Sequence, residues 1–209
     1  VSESLILRTY PFGEGDLVVS YLTRDLGKQR GVAKRARKPK SPFGAGLERL
    51  SHVRVTYTKR ENRELTTLTA AEMITSPMTV ATSYEGGLAL DFMAEVAEHL
   101  LPPEEVNERS FRLILAVMEH LRERGPEGAW TAVLYYALWS VRLAGLLGPL
   151  RLRQESADIA EEMLLCPIGK LSERHWDKGT ASDLRRFLVR EIEQHVERKL
   201  LTVPMLESL

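Results

Sequence analysis

A chain of 209 residues, 44 % apolar and 28 % charged, carries 29 Lys and Arg against 29 Asp and Glu, with Cys166 as its one cysteine. At this length roughly 70 % of the unfolded surface can be buried, so the fold needs no metal or disulfide, and one thiol excludes an internal disulfide or a cysteine-rich zinc site. No apolar run approaches the ~20 residues of a membrane span, and Val1-Ser2-Glu3-Ser4 lacks a signal-peptide pattern, so the expected home is the cytoplasm, with no membrane partner.

Up to about residue 76 the apolar pattern has a period near two and β-branched residues dominate, which reads as strands. Leu5 to Tyr10 is the first, ended by Pro11 to Gly15, and Leu17 to Thr23 is the second. Asp25-Leu26-Gly27 turns the chain into a third, Lys28 to Ala33. Ser41 to Leu47 is a Gly-containing connector. In His52 to Thr58, Val53, Val55 and Tyr57 share one face while Arg54, Thr56 and Thr58 share the other. Arg60 to Arg63 turns into a fifth strand, Leu65 to Ala70, with a possible extension to Ile74. Five short antiparallel strands in about 75 residues suit a small closed barrel of the OB type, which leaves no open edge.

After Ser76-Pro77 the period becomes 3.6. Leu88, Phe92, Val96 and Leu100 mark one helix, stopped by Pro102-Pro103. Phe111, Ile114, Leu115, Met118 and Leu121 mark a second, stopped at Gly125-Pro126. Trp130 to Leu147 is apolar nearly all round, as a central bundle helix is, and Gly148-Pro149 should end it. A weaker helix is expected over Ser156 to Leu165, and Leu184, Phe187, Leu188, Ile192 and Val196 mark the last long one. The fold class is therefore α+β with two domains: a barrel over residues 1–77 and a helical domain over 78–209.

The balanced charge hides an asymmetry. Residues 1–78 hold 14 Lys and Arg against 8 Asp and Glu, a net +6, and the remainder is −6. From Arg24 to Lys40, eight of seventeen positions are Lys or Arg and Asp25 is the single acid. A cationic run strung between strands of a barrel is a cradle for a polyanion, and barrels of this class bind single strands through a charged groove with stacking aromatics. Arg30, Lys34, Arg35, Arg37, Lys38 and Lys40 are the candidate phosphate contacts. Of the aromatics, Tyr21 and Tyr57 sit at strand positions consistent with core. Tyr10 is a further aromatic in reach of a base, and Phe12 and Phe43, which lie in loops, are the candidates for base stacking, with Phe43 the one placed in the site.

The first 75 residues resemble the RecO family of bacterial recombination mediators. The resemblance is carried in order by Gly13-Glu14-Gly15-Asp16, by Thr23 through Gly27-Lys28, by Arg30-Gly31-Val32-Ala33-Lys34, by Lys40-Ser41-Pro42-Phe43-Gly44 and by Leu65 to Glu72. It implies a non-enzymatic mediator that binds single-stranded DNA and anneals complementary strands. With RecR it would help RecA replace the single-stranded-DNA-binding protein. It also implies that the helical domain receives the acidic, aromatic-ended tail of that binding protein, for which Arg142, Arg185, Arg186 and Arg190 are the candidate cations. Many family members carry a four-cysteine zinc module between the third and last long helices. Here only Cys166, with His175 nearby, stands in that region, short of the four ligands a structural zinc takes.

No catalytic constellation is visible, so no enzyme activity, cofactor or metal is expected. Glu14 and Asp16 read as shaping the turn after the first strand, because no His or Cys lies near them. Glu191 with His195, and Glu95, Glu98 and His99, read as helix faces. Gly13-Glu14-Gly15 and Gly44-Ala45-Gly46 do not complete a nucleotide-binding fingerprint. The competing reading is an OB-fold RNA-binding protein acting in translation or RNA metabolism.

Overall fold

A computed structural model describes residues 1–59 and 64–208. The turn expected over residues 60–63 lies outside the described residues. Five strands, β1 (Ser2–Phe12), β2 (Asp16–Thr23), β3 (Gly27–Ala33), β4 (His52–Thr58) and β5 (Thr66–Thr75), close into a barrel in the order β1-β2-β3-β5-β4. All pairs are antiparallel except β3 with β5, and β1 pairs with β4 to complete the ring. This is the OB arrangement expected from the period-two pattern.

The alternation sorts side chains as the pleat requires. Ile6, Val19, Tyr21, Val53, Val55 and Leu68 point inward and form the core, with Tyr57 packed at its edge. The Tyr21 hydroxyl lies 2.9 Å from Thr66 Oγ1, and that hydroxyl in turn donates to the Arg30 carbonyl, so the polar tip of a buried ring is satisfied.

The chain forms two compact units, Val1–Thr79 with Leu101–Phe111, and Val80–Leu100 with Arg112–Leu209. The return of residues 101–111 to the first unit differs from a single cut at 77/78. Pro102-Pro103 does more than stop a helix: Lys28 bridges to Pro103, and the Glu104 N–H donates to the Lys28 carbonyl at 2.9 Å. Glu3 tightens the same region, accepting from Arg24 at 2.8 Å and lying 2.8 Å from the His52 ring nitrogen. Arg24 in turn sits 5.5 Å over the Phe111 ring.

The helices are α1 (Met78–Ala81), α2 (Tyr84–Leu100), α3 (Glu108–Arg124), α4 (Ala129–Leu143), α5 (Gln154–Leu165), α6 (Ser182–Val196) and α7 (Val203–Leu206). In the second unit α4 is buried on nearly every side, packed by α2, α5 and α6. It ends at Leu143, earlier than Gly148-Pro149 suggests. Gly145 adopts a left-handed φ of +73°, and the Leu146 N–H folds back to the Val141 carbonyl at 3.0 Å, a glycine-dependent stop one turn before the proline.

Candidate nucleic-acid interface and a cleft in the helical unit

The basic segment emerges from β3 and runs to β4 as a tethered loop. The Arg35 N–H donates to Asp16 Oδ1 at 2.7 Å and the Arg37 N–H to the Gly15 carbonyl at 2.9 Å. A Cβ on Gly15 would lie 2.7 Å from Cε of Lys38, so the lysine stem rests on that glycine. Asp16, expected only to shape a turn, thus also holds the loop against the β1–β2 connection. Arg35 and Lys40 take left-handed φ values of 58° and 60°, a conformation that non-glycine residues adopt at a cost.

Lys34, Arg35, Arg37, Lys38 and Lys40 are exposed, and among the described residues none of them enters an ion pair. No Asp or Glu occurs between Lys34 and Leu47. Five charges held within seven residues produce a local positive field that own-chain carboxylates do not neutralise. Arg30 lies on β3, exposed on the outer face of the barrel.

Phe43 is corrected. Its ring is 3 % exposed and belongs to the barrel core with Leu47 and Ala71, so it cannot offer a face to a base. The loop after Lys40 turns back through Ser41, whose Oγ accepts from the Phe43 N–H, and plugs the barrel with Phe43. Phe12 is the exposed ring, at 52 %.

In the helical unit, α2, α4, α6 and the segment after α6 enclose a cleft of about 750 Å³. Phe92, Trp130, Val133, Leu134, Val189 and Val203 give it an apolar lining, while Lys178, Arg185, Arg186, Arg190 and Lys199 stand around it with Glu193 and Glu207. Arg185 lies 4.1 Å over the Trp130 ring and donates through Nη2 to the Lys178 carbonyl at 2.6 Å. Its Nη1 is buried with no hydrogen-bond partner. Burial first, then repulsion from Arg186, lowers the pKa of this guanidinium below its usual value. Arg142 is corrected: it sits exposed over Trp139, 5.3 Å from the ring, and does not line the cleft.

Residues outside the sequence expectation complete this wall. Glu95 of α2 accepts from the Leu201 N–H at 2.7 Å, the Thr202 N–H at 3.0 Å and the Thr202 hydroxyl at 2.7 Å, fixing the strap that carries α7. Glu193 accepts from the Leu200 N–H at 3.0 Å and from Lys199 at 2.6 Å. The Glu95 contacts have no local sequence signal, since Glu95 and Thr202 are 107 positions apart. Among the described residues no group of three or more His, Cys, Asp or Glu could hold a metal, and no helix is long and apolar enough to cross a membrane.

The fold and these two surfaces define an OB-type barrel protein with an appended helical unit. The model for the N-terminal domain of recombination protein O matches residues 2–77, and that for its C-terminal domain matches residues 82–150. The chain is 40 % identical over 242 aligned residues to the DNA repair protein RecO of Koribacter versatilis (strain Ellin345), covering all of this chain and 98 % of that one. It is 30 % identical over 241 residues to the DNA repair protein RecO of Frankia casuarinae, covering 98 % and 97 % of the two chains. The chain belongs to the RecO family, which supports a role in DNA repair and recombination.

Proposed function

We propose that the protein is a non-enzymatic mediator that holds single-stranded DNA by its phosphates and anneals complementary strands. Arg30, Lys34, Arg35, Arg37, Lys38 and Lys40 supply the contacts. The observation that carries this reading is the tethered loop whose five exposed cations have no carboxylate partner among the described residues. Annealing makes no covalent bond. It needs only that fixed cations lower the repulsion between two polyanions and raise their local concentration, so no cofactor is required.

The cleft extends the proposal to partners. An unpartnered guanidinium nitrogen above an apolar floor suits a peptide that ends in an aromatic side chain and a carboxylate, the chemistry of the tail of the single-stranded-DNA-binding protein. Arg185, Arg186 and Arg190 would receive it. Docking there would bring the barrel to strands already covered by that protein, where with RecR it helps RecA take over.

The test is an annealing assay with all six barrel cations replaced by Gln. Loss of annealing with the fold retained supports the proposal, and unchanged annealing contradicts it. In competition, a clear preference for transfer RNA over single-stranded DNA would move the function to RNA.

A further inference from the structure

We infer that the outer face of β1 carries a base-stacking step, built from Phe12 and the Arg8–Tyr10 pair, which makes the barrel favour unpaired bases over duplex. This rests on the polyanion reading above and adds to it the residues that touch bases rather than phosphates.

The register defines the face. Val19 and Tyr21 point into the core, so Val18 and Ser20 point outward, and their β1 partners Tyr10 and Arg8 point outward with them. Phe12, paired with Asp16, continues the same row, and Val32 and Arg30 of β3 extend the face laterally as partners of Val18 and Ser20. Arg8, Tyr10 and Phe12 therefore stand at alternate positions along one strand. The guanidinium of Arg8 lies 5.1 Å over the Tyr10 ring, and Phe12 is 52 % exposed. A single exposed phenylalanine would call for no explanation. A planar cation, a phenol and a phenyl ring in file beside a cationic loop form a recognition surface.

Spacing selects the ligand. Alternate residues on a strand are ~7 Å apart, about twice the ~3.4 Å rise per base in duplex DNA. Neighbouring bases can reach successive groups on β1 only when the strand is extended and its bases are unstacked. Bases inside a duplex are stacked on both sides and offer no free face. The phosphate contacts lie on the correct side: Asp16, the strand partner of Phe12, is the residue that holds the Arg35 backbone. A strand whose bases lie on β1 thus has its backbone at the Lys34–Lys38 loop.

The experiment uses the full chain with three probes of equal length and phosphate number: a mixed-sequence single strand, the same strand made abasic, and a blunt duplex. The parent should bind the base-bearing strand at least about tenfold more tightly than the abasic one. Phe12→Leu should lower affinity for the base-bearing strand about fivefold or more, and Phe12→Leu with Tyr10→Leu about thirtyfold, leaving the abasic strand and the salt slope unchanged. Phe12→Leu alone, at an exposed site, keeps the test valid if the double variant folds poorly. Equal affinity of the parent for both strands, or a variant that keeps the preference, overturns the stacking inference while the cationic reading stands. A parent that binds none of the probes overturns both.

Discussion

Arg185 lies above Trp130, its Cζ 4.1 Å from the ring centroid, with Nη1 buried and unpaired. Cation–π contact and one backbone carbonyl satisfy part of the guanidinium and leave a donor for an incoming anion. Arg185→Gln should weaken binding of an acidic peptide with a C-terminal aromatic residue by about tenfold or more, as charged hydrogen bonds contribute ~1.5–3 kcal/mol. Arg142→Gln should leave it unchanged. Fluorescence anisotropy with a labelled peptide measures both.

Gly27 meets the returning segment at van der Waals limit. Its φ is +72°, and a Cβ there would lie 2.1 Å from the Glu105 carbonyl oxygen. Gly27→Ala combines left-handed strain with a backbone collision, and should cost about 2–5 kcal/mol. Urea denaturation at neutral pH should show the loss. Gly13→Ala, with open space around the Cβ, should cost only the strain.

Burial pushes the Tyr21 hydroxyl from its ordinary value up to about 12, offset only in part by its bond to Thr66. The folded state keeps the proton that the unfolded state releases near pH 10. Stability from this group is therefore full below pH 10 and falls as pH rises to about 12, by roughly 2–3 kcal/mol. Tyr21→Phe should be about 1 kcal/mol less stable than the parent at pH 8, and that gap should shrink or reverse by pH 11. Urea melts at the two pH values test the sign.

Glu95 ties the strap to α2 through three donors on two residues. Glu95→Ala removes all of them, and the Leu201 and Thr202 amides should exchange with solvent at least about tenfold faster, while α4 amides keep their protection. Peptide affinity should fall too, since the strap supplies Leu200, Val203 and Leu206 to the cleft.

The barrel was legible where a strand buries one face and leaves the other open, as β4 does, and less so in β1 and β2, where Leu5 to Leu7 and Val19 to Thr23 are buried on both faces. The alternation of Val53, Val55 and Tyr57 records that burial residue by residue, and a closed five-strand barrel followed from the strand count, while the order β1-β2-β3-β5-β4 with its parallel β3–β5 pair left no trace in the pattern. The basic run was equally open to reading, since charge needs no tertiary context to be counted. Phe43 was misjudged because a ring between Pro42 and Gly44 looks like a loop tip, and only the closed barrel reveals the open end that it fills. Arg142 and Arg185 carry the same local signal, a cation on a helix beside apolar residues. What separates them is the strap from Lys199 to Glu207, which walls the cleft beside one and not the other. The return of residues 101–111 to the barrel, and the Glu95 contacts, join positions far apart in the chain and leave no periodic trace.

The salt dependence of single-strand binding tests the central claim most directly. With six phosphates neutralised by Arg30, Lys34, Arg35, Arg37, Lys38 and Lys40, log K for an abasic or base-bearing strand should fall against log salt with a slope of about −4, and replacing all six by Gln should bring the slope close to zero. A parent slope near zero, or a six-fold variant that keeps the parent's slope, would contradict the account.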